Sequence, residues 1–283
     1  MGEKIGIVDV GGGFRGIYCA GVLDYCMDQG IQFDLAIGVS AGSANMASFC
    51  AKQPRRNYKF YTEYGLRTEY MSLWNYFHKR SYINLPYVYG TLTNSDGEYP
   101  IDYETMMANP MAFWTVATDA QTGLPRYFPK EYHPKDDYRA LMASSAIPGV
   151  CRPIELEGRP YYDGALGDPV PIEKAFALGC DRVILMLTLP EDFVRNPERD
   201  TKAARRIQKK FPKAAEALMN RAKLYNDSVA AAKNCAKEGK LIIVAPDDTC
   251  GVRTLCRDTD NLKALYQKGY GDGKKIAQFL AQK

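Results

Sequence analysis

The chain has 283 residues, and its 37 lysine and arginine residues against 33 acidic residues give a formal charge of +4. This length corresponds to one large domain or to one domain with an extension. The apolar share of 46% and the charged share of 25% are those of an ordinary globular protein, which excludes the collagen-like and intrinsically disordered classes. So small a net charge gives no support for a nucleic-acid partner.

Several features of the sequence bear on location and cofactors. No run reaches about 18 consecutive apolar residues, so no membrane-spanning helix is predicted. Residues 1–4 carry two charges and lead directly into a predicted strand, without the apolar run and cleavage site of a signal peptide. The eight cysteines form no C-x-x-C pair and are predicted to be buried or free thiols. We therefore expect a cytoplasmic protein without a metal site or another cofactor.

The first part of the chain alternates between predicted strands and helices. The order is a strand over 5–10, a glycine loop over 11–16, a helix over 17–29, a strand over 34–39 and a helix over 41–52. Both strands are mainly apolar, which is typical of strands buried within a sheet. Such an order is the beginning of a parallel α/β sheet.

Residues 55–90 differ from the rest in composition. They contain eleven of the 33 aromatic residues, and eight of these eleven are tyrosines. Helices with an irregular end are predicted here. A cover layer packed on the sheet would explain the composition, and so would part of an apolar groove that accepts acyl chains.

The remainder of the chain continues the alternation of strands and helices. The predicted strands cover 113–118, 126–129, 161–163, 182–189 and 241–245. The predicted helices cover 138–145, 173–178, 198–237 with a break at Pro212, and 260–282. No repeat or low-complexity linker separates them, so we expect one α/β core with appended helices.

A serine lies between the second strand and the helix that follows it. Gly38, Val39, Ser40, Ala41 and Gly42 form a G-x-S-x-G pattern, which we call the elbow. A serine on so sharp a turn exposes its hydroxyl, and glycines two positions to either side avoid clashes between the adjoining segments. The positive end of the following helix would stabilise negative charge near the serine. Ser40 is therefore a candidate nucleophile.

The glycine loop over 11–16 allows two interpretations. It matches the G-x-G-x-x-G pattern of dinucleotide-binding proteins, with Asp34 as a candidate ribose ligand. Its backbone N–H groups could equally stabilise the oxyanion of an acyl-transfer intermediate, each by ~3–4 kcal/mol, with Arg15 as a nearby cation. The elbow one strand later favours the oxyanion.

The third motif is Asp-Gly-Ala at 163–165, which on its own is typical of a simple turn. The chain has two histidines, His78 and His133. Folds with a nucleophile elbow place their catalytic histidine last in the chain, after the acid, but no histidine follows residue 133. If Ser40 is catalytic, its base is therefore predicted to be a carboxylate, whose pKa burial would raise toward the working range.

Together the three motifs resemble those of the patatin-like phospholipases. That family has, in the same order, a G-G-G-x-R-G oxyanion loop, a G-x-S-x-G elbow and a D-G-A or D-G-G turn. The stretches at 118–123 and 143–148 are similar to the family as well. The resemblance covers roughly residues 5–180, and the chain after about 190 does not share it.

The resemblance implies a three-layer α/β/α sandwich around a mostly parallel sheet. It also implies a serine lipid acyl hydrolase that needs no metal, cleaving lipid esters through an acyl-serine. We expect the catalytic domain over 5–180 and a C-terminal strand and helix extension over 181–283, packed on the same core. By resemblance, Ser40 would be the nucleophile and Asp163 the general base. The oxyanion site would comprise Gly11, Gly12, Gly13, Arg15 and Ala41, with Gly16, Gly38, Gly42, Gly164 and Ala165 as supporting motif positions.

The positive charge is concentrated in residues 195–223, which hold ten lysines and arginines against three acidic residues. A basic helix can lie on an anionic membrane surface, which would place the protein at the inner face of the membrane. A solvated helix face explains the same composition.

Two other functions are compatible with these motifs. One is a non-catalytic lipid-binding or regulatory protein of the same fold, and the other is a nucleotide-binding protein of the Rossmann type. Headgroup, acyl length, regiochemistry and the choice of water or another alcohol as acyl acceptor depend on the shape of the groove. The sequence therefore predicts a lipid ester as substrate without specifying it further, and it does not indicate an oligomeric state.

Overall fold

A computed structural model describes residues 2–282, which contain one mixed sheet of eight strands. The strands are β1 (Ile5–Asp9), β2 (Leu35–Val39), β3 (Ala112–Asp119), β4 (Pro125–Pro129), β5 (Ile154–Leu156), β6 (Arg159–Asp163), β7 (Arg182–Met186) and β8 (Leu241–Val244). Parallel pairs join β3, β2, β1, β7 and β8 in that order. β4 and β6 each pair antiparallel with β3, and β5 pairs antiparallel with β6. The predicted mostly parallel sheet is confirmed.

Eleven α-helices occur among the described residues. They are α1 (Ile17–Asp28), α2 (Ala41–Cys50), α3 (Arg56–Thr62), α4 (Leu73–Lys79), α5 (Tyr103–Ala108), α6 (Arg139–Ser144), α7 (Ile172–Ala177), α8 (Glu198–Ile207), α9 (Pro212–Lys237), α10 (Thr259–Asp272) and α11 (Lys274–Ala281). None of the helices in this part of the chain is both long and apolar enough to cross a membrane.

Helices cover both faces of the sheet, and β1 shows why. Ile7 packs in a core cluster with residues of α1, α2 and α10, whereas the next residue, Val8, packs with residues of α7 and α9. Successive side chains of a strand point to opposite faces, so a continuously apolar strand needs cover on both sides. The three-layer α/β/α arrangement predicted by resemblance is therefore confirmed.

The C-terminal half of the chain completes the same sheet. β7 and β8 extend it beyond β1, and α9 contributes Leu218 to one core cluster and Val229 to the other. A separation of domains near residue 180 stays a prediction, and the last residue of the predicted extension, Lys283, lies outside the described residues.

The helix boundaries include one confirmed break and one that the sequence analysis missed. Pro212 stands in the first turn of α9, where its missing N–H costs no hydrogen bond, so it separates α8 from α9 as predicted. The predicted helix over 260–282 is instead two helices that meet at Gly273. A side chain at Gly273 would clash with the ring of Tyr25, a contact between distant segments that the local sequence does not reveal. The short elements β5 and α5 were also not predicted.

Candidate active site

The register of β3 explains why two distant motifs meet. β4 pairs with residues 114–118 along one edge of β3. β2 and β6 therefore share the opposite edge of β3. There β2 pairs with β3 residues up to Val116, and β6 pairs with β3 residues from Ala117 onward. β2 runs parallel to β3 and β6 runs antiparallel to it, so the carboxyl ends of β2 and β6 face each other. Ser40 directly follows β2, and Asp163 is the last residue of β6.

Ser40 has an unusual backbone conformation that its neighbours stabilise. Its φ of 56° and ψ of −130° lie in a region that costs a non-glycine residue ~1–3 kcal/mol. The Ser40 N–H donates to Ser144 Oγ at 2.8 Å, and Ser43 Oγ donates to the Ser40 carbonyl at 2.8 Å. The hydroxyls of Ser43 and Ser144 are 2.6 Å apart and join these two contacts into one network. Buried hydrogen bonds therefore hold the serine at the turn.

The glycine loop and the elbow touch through their backbones. A side chain at Gly11, whose φ is 65°, would clash with the carbonyl of Val39, and one at Gly42 would clash with the carbonyl of Asp9. Gly38 packs in the same way against the start of α2. These close approaches require glycine, so the motif spacing that the sequence analysis singled out has a steric basis.

Three backbone N–H groups near Ser40 have no protein acceptor within residues 2–282, namely those of Gly12, Gly13 and Ala41. Gly13 and Ala41 line the same cleft as Ser40. The Gly11 N–H differs, because it donates to Asp9 Oδ1 at 2.9 Å. Gly11 thus shapes the loop, whereas the other three groups are free to donate to an anion.

Asp163 is buried, with 4% of its surface exposed. Burial raises the pKa of its carboxyl, while the positive charge of Arg221, the N–H of Ala165, the hydroxyl of Ser40 and the charge of Arg195 act in the opposite direction. The Ala165 N–H donates to Asp163 Oδ1 at 2.9 Å. A carboxylate whose pKa is raised in this way is a better proton acceptor than an exposed one.

The other predicted positions lie around this pair. Gly164 passes close to the Val116 carbonyl, where a side chain would clash. The Gly16 carbonyl accepts from Asn45 Nδ2 at 2.9 Å. Arg15 Nη1 donates to Thr254 Oγ1 at 3.0 Å, and burial lowers the pKa of Arg15 to about 10.

Neither histidine takes part in this site. His133 is 1% exposed, its Nε2 lies 3.2 Å from Thr115 Oγ1, and burial lowers its pKa to about 4. His78 lies on the exposed helix α4, where its Nδ1 is 3.0 Å from the Trp74 carbonyl oxygen. The Ser40 hydroxyl instead acts on the carboxyl of Asp163, whose pKa it lowers.

An apolar cleft begins at Ser40. The open space of the cleft, including its solvent-filled mouth, is about 870 Å³, within the range of small-molecule sites. The cavity itself has a volume of only about 60 Å³, so the cleft is a narrow slot. Nine of its 24 lining residues come from 55–90, including Phe60, Ile83 and Val88. This favours the groove over a mere cover layer as the explanation of the aromatic segment.

Two supporting residues were missed in the sequence analysis. Asp9, at the end of β1, accepts from Gly11 N–H and from Asn45 Nδ2, each at 2.9 Å. An acidic residue within an otherwise apolar strand was the available signal for it. The second is Ser144, whose hydroxyl accepts the N–H of Ser40.

Two other aspartates that the sequence analysis covered, Asp119 and Asp34, have other contacts than Ser40 and Asp163. Asp119 accepts the N–H groups of Gln121 and Thr122 and stabilises a turn. Asp34, the candidate ribose ligand, accepts from Ile5 N–H at 2.7 Å. It precedes β2, at the end of the strand opposite Ser40, so the nucleotide interpretation loses its acidic residue.

Two family models match parts of this chain. Residues 10–176 match a family model described as "Patatin-like phospholipase", and residues 211–282 match one described as a "Domain of unknown function (DUF6363)". The crystal structure of VipD from Legionella pneumophila superposes with a TM-score of 0.49 at 14% identity, covering 98% of this chain and 67% of that one.

Two curated relatives differ greatly in length from this chain. The uncharacterized protein YjjU of Escherichia coli K12 is 31% identical over 69% of this chain, which spans 55% of that protein. Lysophospholipase NTE1 of Saccharomyces cerevisiae is 26% identical over 64% of this chain, which spans 10% of that protein. Because the patatin-like model matches more than half of its residues, the chain belongs to the patatin-like phospholipase family.

Proposed function

We propose that this protein is a serine lipid acyl hydrolase, in which Ser40 attacks the acyl ester and Asp163 is the general base. The observation that carries the proposal is the approach of the carboxyl ends of β2 and β6 along one edge of β3. The family match and the lysophospholipase relative support a lipid ester as the substrate. The narrow apolar cleft that begins at Ser40 supports an acyl chain as its occupant.

The reaction would proceed in two halves. Asp163 accepts the proton of the Ser40 hydroxyl while Oγ attacks the acyl carbonyl carbon. The resulting oxyanion accepts hydrogen bonds from the free N–H groups of Gly12, Gly13 and Ala41, beside the positive charge of Arg15. As the tetrahedral intermediate collapses, the ester C–O bond breaks and Asp163 returns the proton to the leaving alcohol. A water molecule then attacks the acyl-serine with Asp163 again as base, which releases the fatty acid and restores Ser40.

The direct test is ester hydrolysis by Ser40→Ala and Asp163→Asn. Both variants should lose ~10³-fold or more of kcat, because nucleophile and base act as one unit. His78→Gln is the matched control and should keep wild-type activity, since its exposed ring lies outside the site. Wild-type activity in either variant would refute the proposed catalytic dyad of Ser40 and Asp163. An inactive wild type that also fails to react with a fluorophosphonate at Ser40 would instead favour the non-catalytic lipid-binding protein.

We further propose that the protein works in the cytoplasm and binds the membrane peripherally through residues 195–223. Eight of the ten basic side chains there are exposed, and such a surface attracts anionic lipids. Helix α4 offers an apolar complement, because Leu73, Trp74 and Phe77 are 68%, 58% and 74% exposed. The eight cysteines are all free, which suits a reducing compartment.

Vesicle sedimentation tests the membrane contact. The wild type should bind phosphatidylglycerol vesicles better than phosphatidylcholine vesicles, and the difference should shrink as salt screens the charges. Lys209→Glu with Lys210→Glu should weaken binding to the anionic vesicles about tenfold or more, since each basic residue near such a surface contributes ~1 kcal/mol. The matched control, Lys263→Glu with Lys274→Glu, places the same charge on α10 and α11 and should bind as the wild type does. Equal loss in both double variants, or binding that salt does not affect, would contradict the assignment.

A further inference from the structure

Two basic residues of the segment 195–223 are not on its exposed surface. Arg195 and Arg221 are only partly exposed, and both lie close enough to Asp163 to lower the pKa of its carboxyl. α9, which carries Arg221, also packs against the turn Gly164–Leu166 that directly follows Asp163. Residues 195–223 therefore bring positive charge close to the proposed dyad of Ser40 and Asp163.

One carboxylate holds these two side chains in place. Arg195 donates through Nε and Nη2 to the two oxygens of Asp200, each at 3.0 Å. Arg221 Nη1 lies 3.6 Å from Asp200 Oδ1, beyond hydrogen-bond distance. The backbone of Arg195 is fixed to α9 as well, because its N–H donates to Asn226 Oδ1 at 2.8 Å.

Arg15 approaches from the glycine loop. Its Nη2 is 3.3 Å from the place that a Cβ at Gly12 would occupy, so the guanidinium lies against the proposed oxyanion loop. Its neighbours Arg195, Arg221 and Arg199 each lower the pKa of Arg15, after the larger effect of burial. We refer to these four residues as the arginine cluster.

The arginine cluster has more positive charge than its protein partners offset. Within residues 2–282, Asp200 is the one carboxylate that forms an ion pair with any of its members. The Nε atoms of Arg15 and Arg221 are buried and have no hydrogen-bond acceptor. Buried cations with unused donors are costly unless an anion binds. Guanidinium groups suit phosphate in particular, because their planar array of donors matches its oxygens.

We propose that Arg15, Arg195 and Arg221 form a subsite for the phosphate group of the substrate lipid. This inference rests on the proposed function: Ser40 would attack an ester whose acyl chain occupies the apolar cleft, while a phosphate a few bonds away on the alcohol side binds the cluster. A glycerophospholipid has this arrangement. The narrow slot favours one that carries a single acyl chain.

The test compares two substrates that differ only in phosphate, namely lysophosphatidic acid and the monoacylglycerol with the same acyl chain. Arg221→Gln should lower kcat/KM for lysophosphatidic acid at least ~10-fold more than for the monoacylglycerol, because a charge-assisted hydrogen bond contributes ~1.5–3 kcal/mol. Arg195→Gln should act in the same direction, and Arg221→Lys should retain part of the preference. Lys263→Gln, which removes one exposed positive charge from α10 and so lies outside the segment 195–223, is the control and should leave the ratio unchanged. Equal losses on both substrates would overturn the subsite and leave the cluster a structural role.

A binding measurement separates this outcome from failure of the hydrolase proposal. Inorganic phosphate, compared with chloride at equal ionic strength, should raise the Tm of the wild type but not of Arg221→Gln. If phosphate binds but the substrate ratio does not change, the cluster is a site for free phosphate and the headgroup assignment is wrong. If the wild type hydrolyses neither ester, the proposed function fails, whatever the phosphate result. Absence of any phosphate effect in the folded wild type would contradict the subsite directly.

Discussion

Two regions near the proposed pair of Ser40 and Asp163 differ in chemistry and in origin. One is the apolar cleft, to which residues 55–90 contribute Phe60, Ile83 and Val88. The other is the arginine cluster, which does not line that cleft and whose members Arg195 and Arg221 come from residues 195–223 and share one buried carboxylate. A lipid ester has the same asymmetry, with a hydrocarbon chain on one side of the carbonyl and a polar alcohol on the other. We therefore expect substitutions in the cleft to change acyl selectivity and substitutions in the arginine cluster to change headgroup selectivity.

Filling the apolar cleft should give the largest effect on acyl selectivity. Ala44 lies on α2, four residues after Ser40, is only partly buried and lines the cleft. Ala44→Phe should lower kcat/KM for a long-chain p-nitrophenyl ester by ~100-fold, because a few methylenes excluded from an apolar pocket already cost that much. Hydrolysis of p-nitrophenyl acetate should change little, since an acetyl group needs none of the distal slot.

The short ester and the phosphate pair serve as controls for this variant. Ala44→Phe should keep the ratio between lysophosphatidic acid and its monoacylglycerol, because Ala44 lines the cleft and the arginines of the cluster do not. Equal loss on the acetate and on the long-chain ester would mean that the side chain disturbs the dyad. Unchanged long-chain activity would mean that the acyl chain does not occupy this cleft.

The same comparison shows what the sequence could and could not predict. Gly11 and Ser40 are recognisable from the sequence because close backbone approach and a strained turn restrict residue types locally, whereas the Asp163 motif alone is typical of a simple turn. Their meeting point was accessible only through resemblance, since it depends on β2 and β6 ending on one edge of β3, a register that no local pattern encodes. The cleft was indicated by composition alone, as an excess of aromatic residues.

The arginine side was less accessible to sequence analysis for a physical reason. Residues 195–223 have a uniform basic composition, which suggests one exposed surface. The basic side chains of this segment differ in burial. Lys209 and Lys210 are exposed, whereas Arg195 and Arg221 are only partly exposed and lie beside the buried Asp200. Asp200 stands in α8 and Arg221 in α9, so the division depends on how these helices pack. Neither helical periodicity nor charge count contains that information.

The smallest predicted effect concerns the pH dependence of activity. It tests the electrostatic interaction between the arginine cluster and the carboxyl of Asp163. Asp163 must be ionised to accept the Ser40 proton, so activity should fall as pH drops through its folded-state pKa. Burial raises that pKa above the ordinary value of 3.8, and Arg221 is the largest influence in the opposite direction. Arg221→Gln should therefore move the acidic limb of the profile to higher pH and reduce activity several-fold there, with little change at the plateau.

A neutral p-nitrophenyl ester is the substrate for this measurement, because phosphate binding then plays no part. Asp9, whose pKa burial raises to about 6, is present in both proteins, so the difference between their profiles reports on Asp163. Arg221→Lys preserves the charge and should keep the limb near its wild-type position, and Lys263→Gln should not move it. A limb that stays in place in Arg221→Gln would mean that the cluster does not act on the base. A loss confined to lysophosphatidic acid would then leave phosphate binding as its one role at the site.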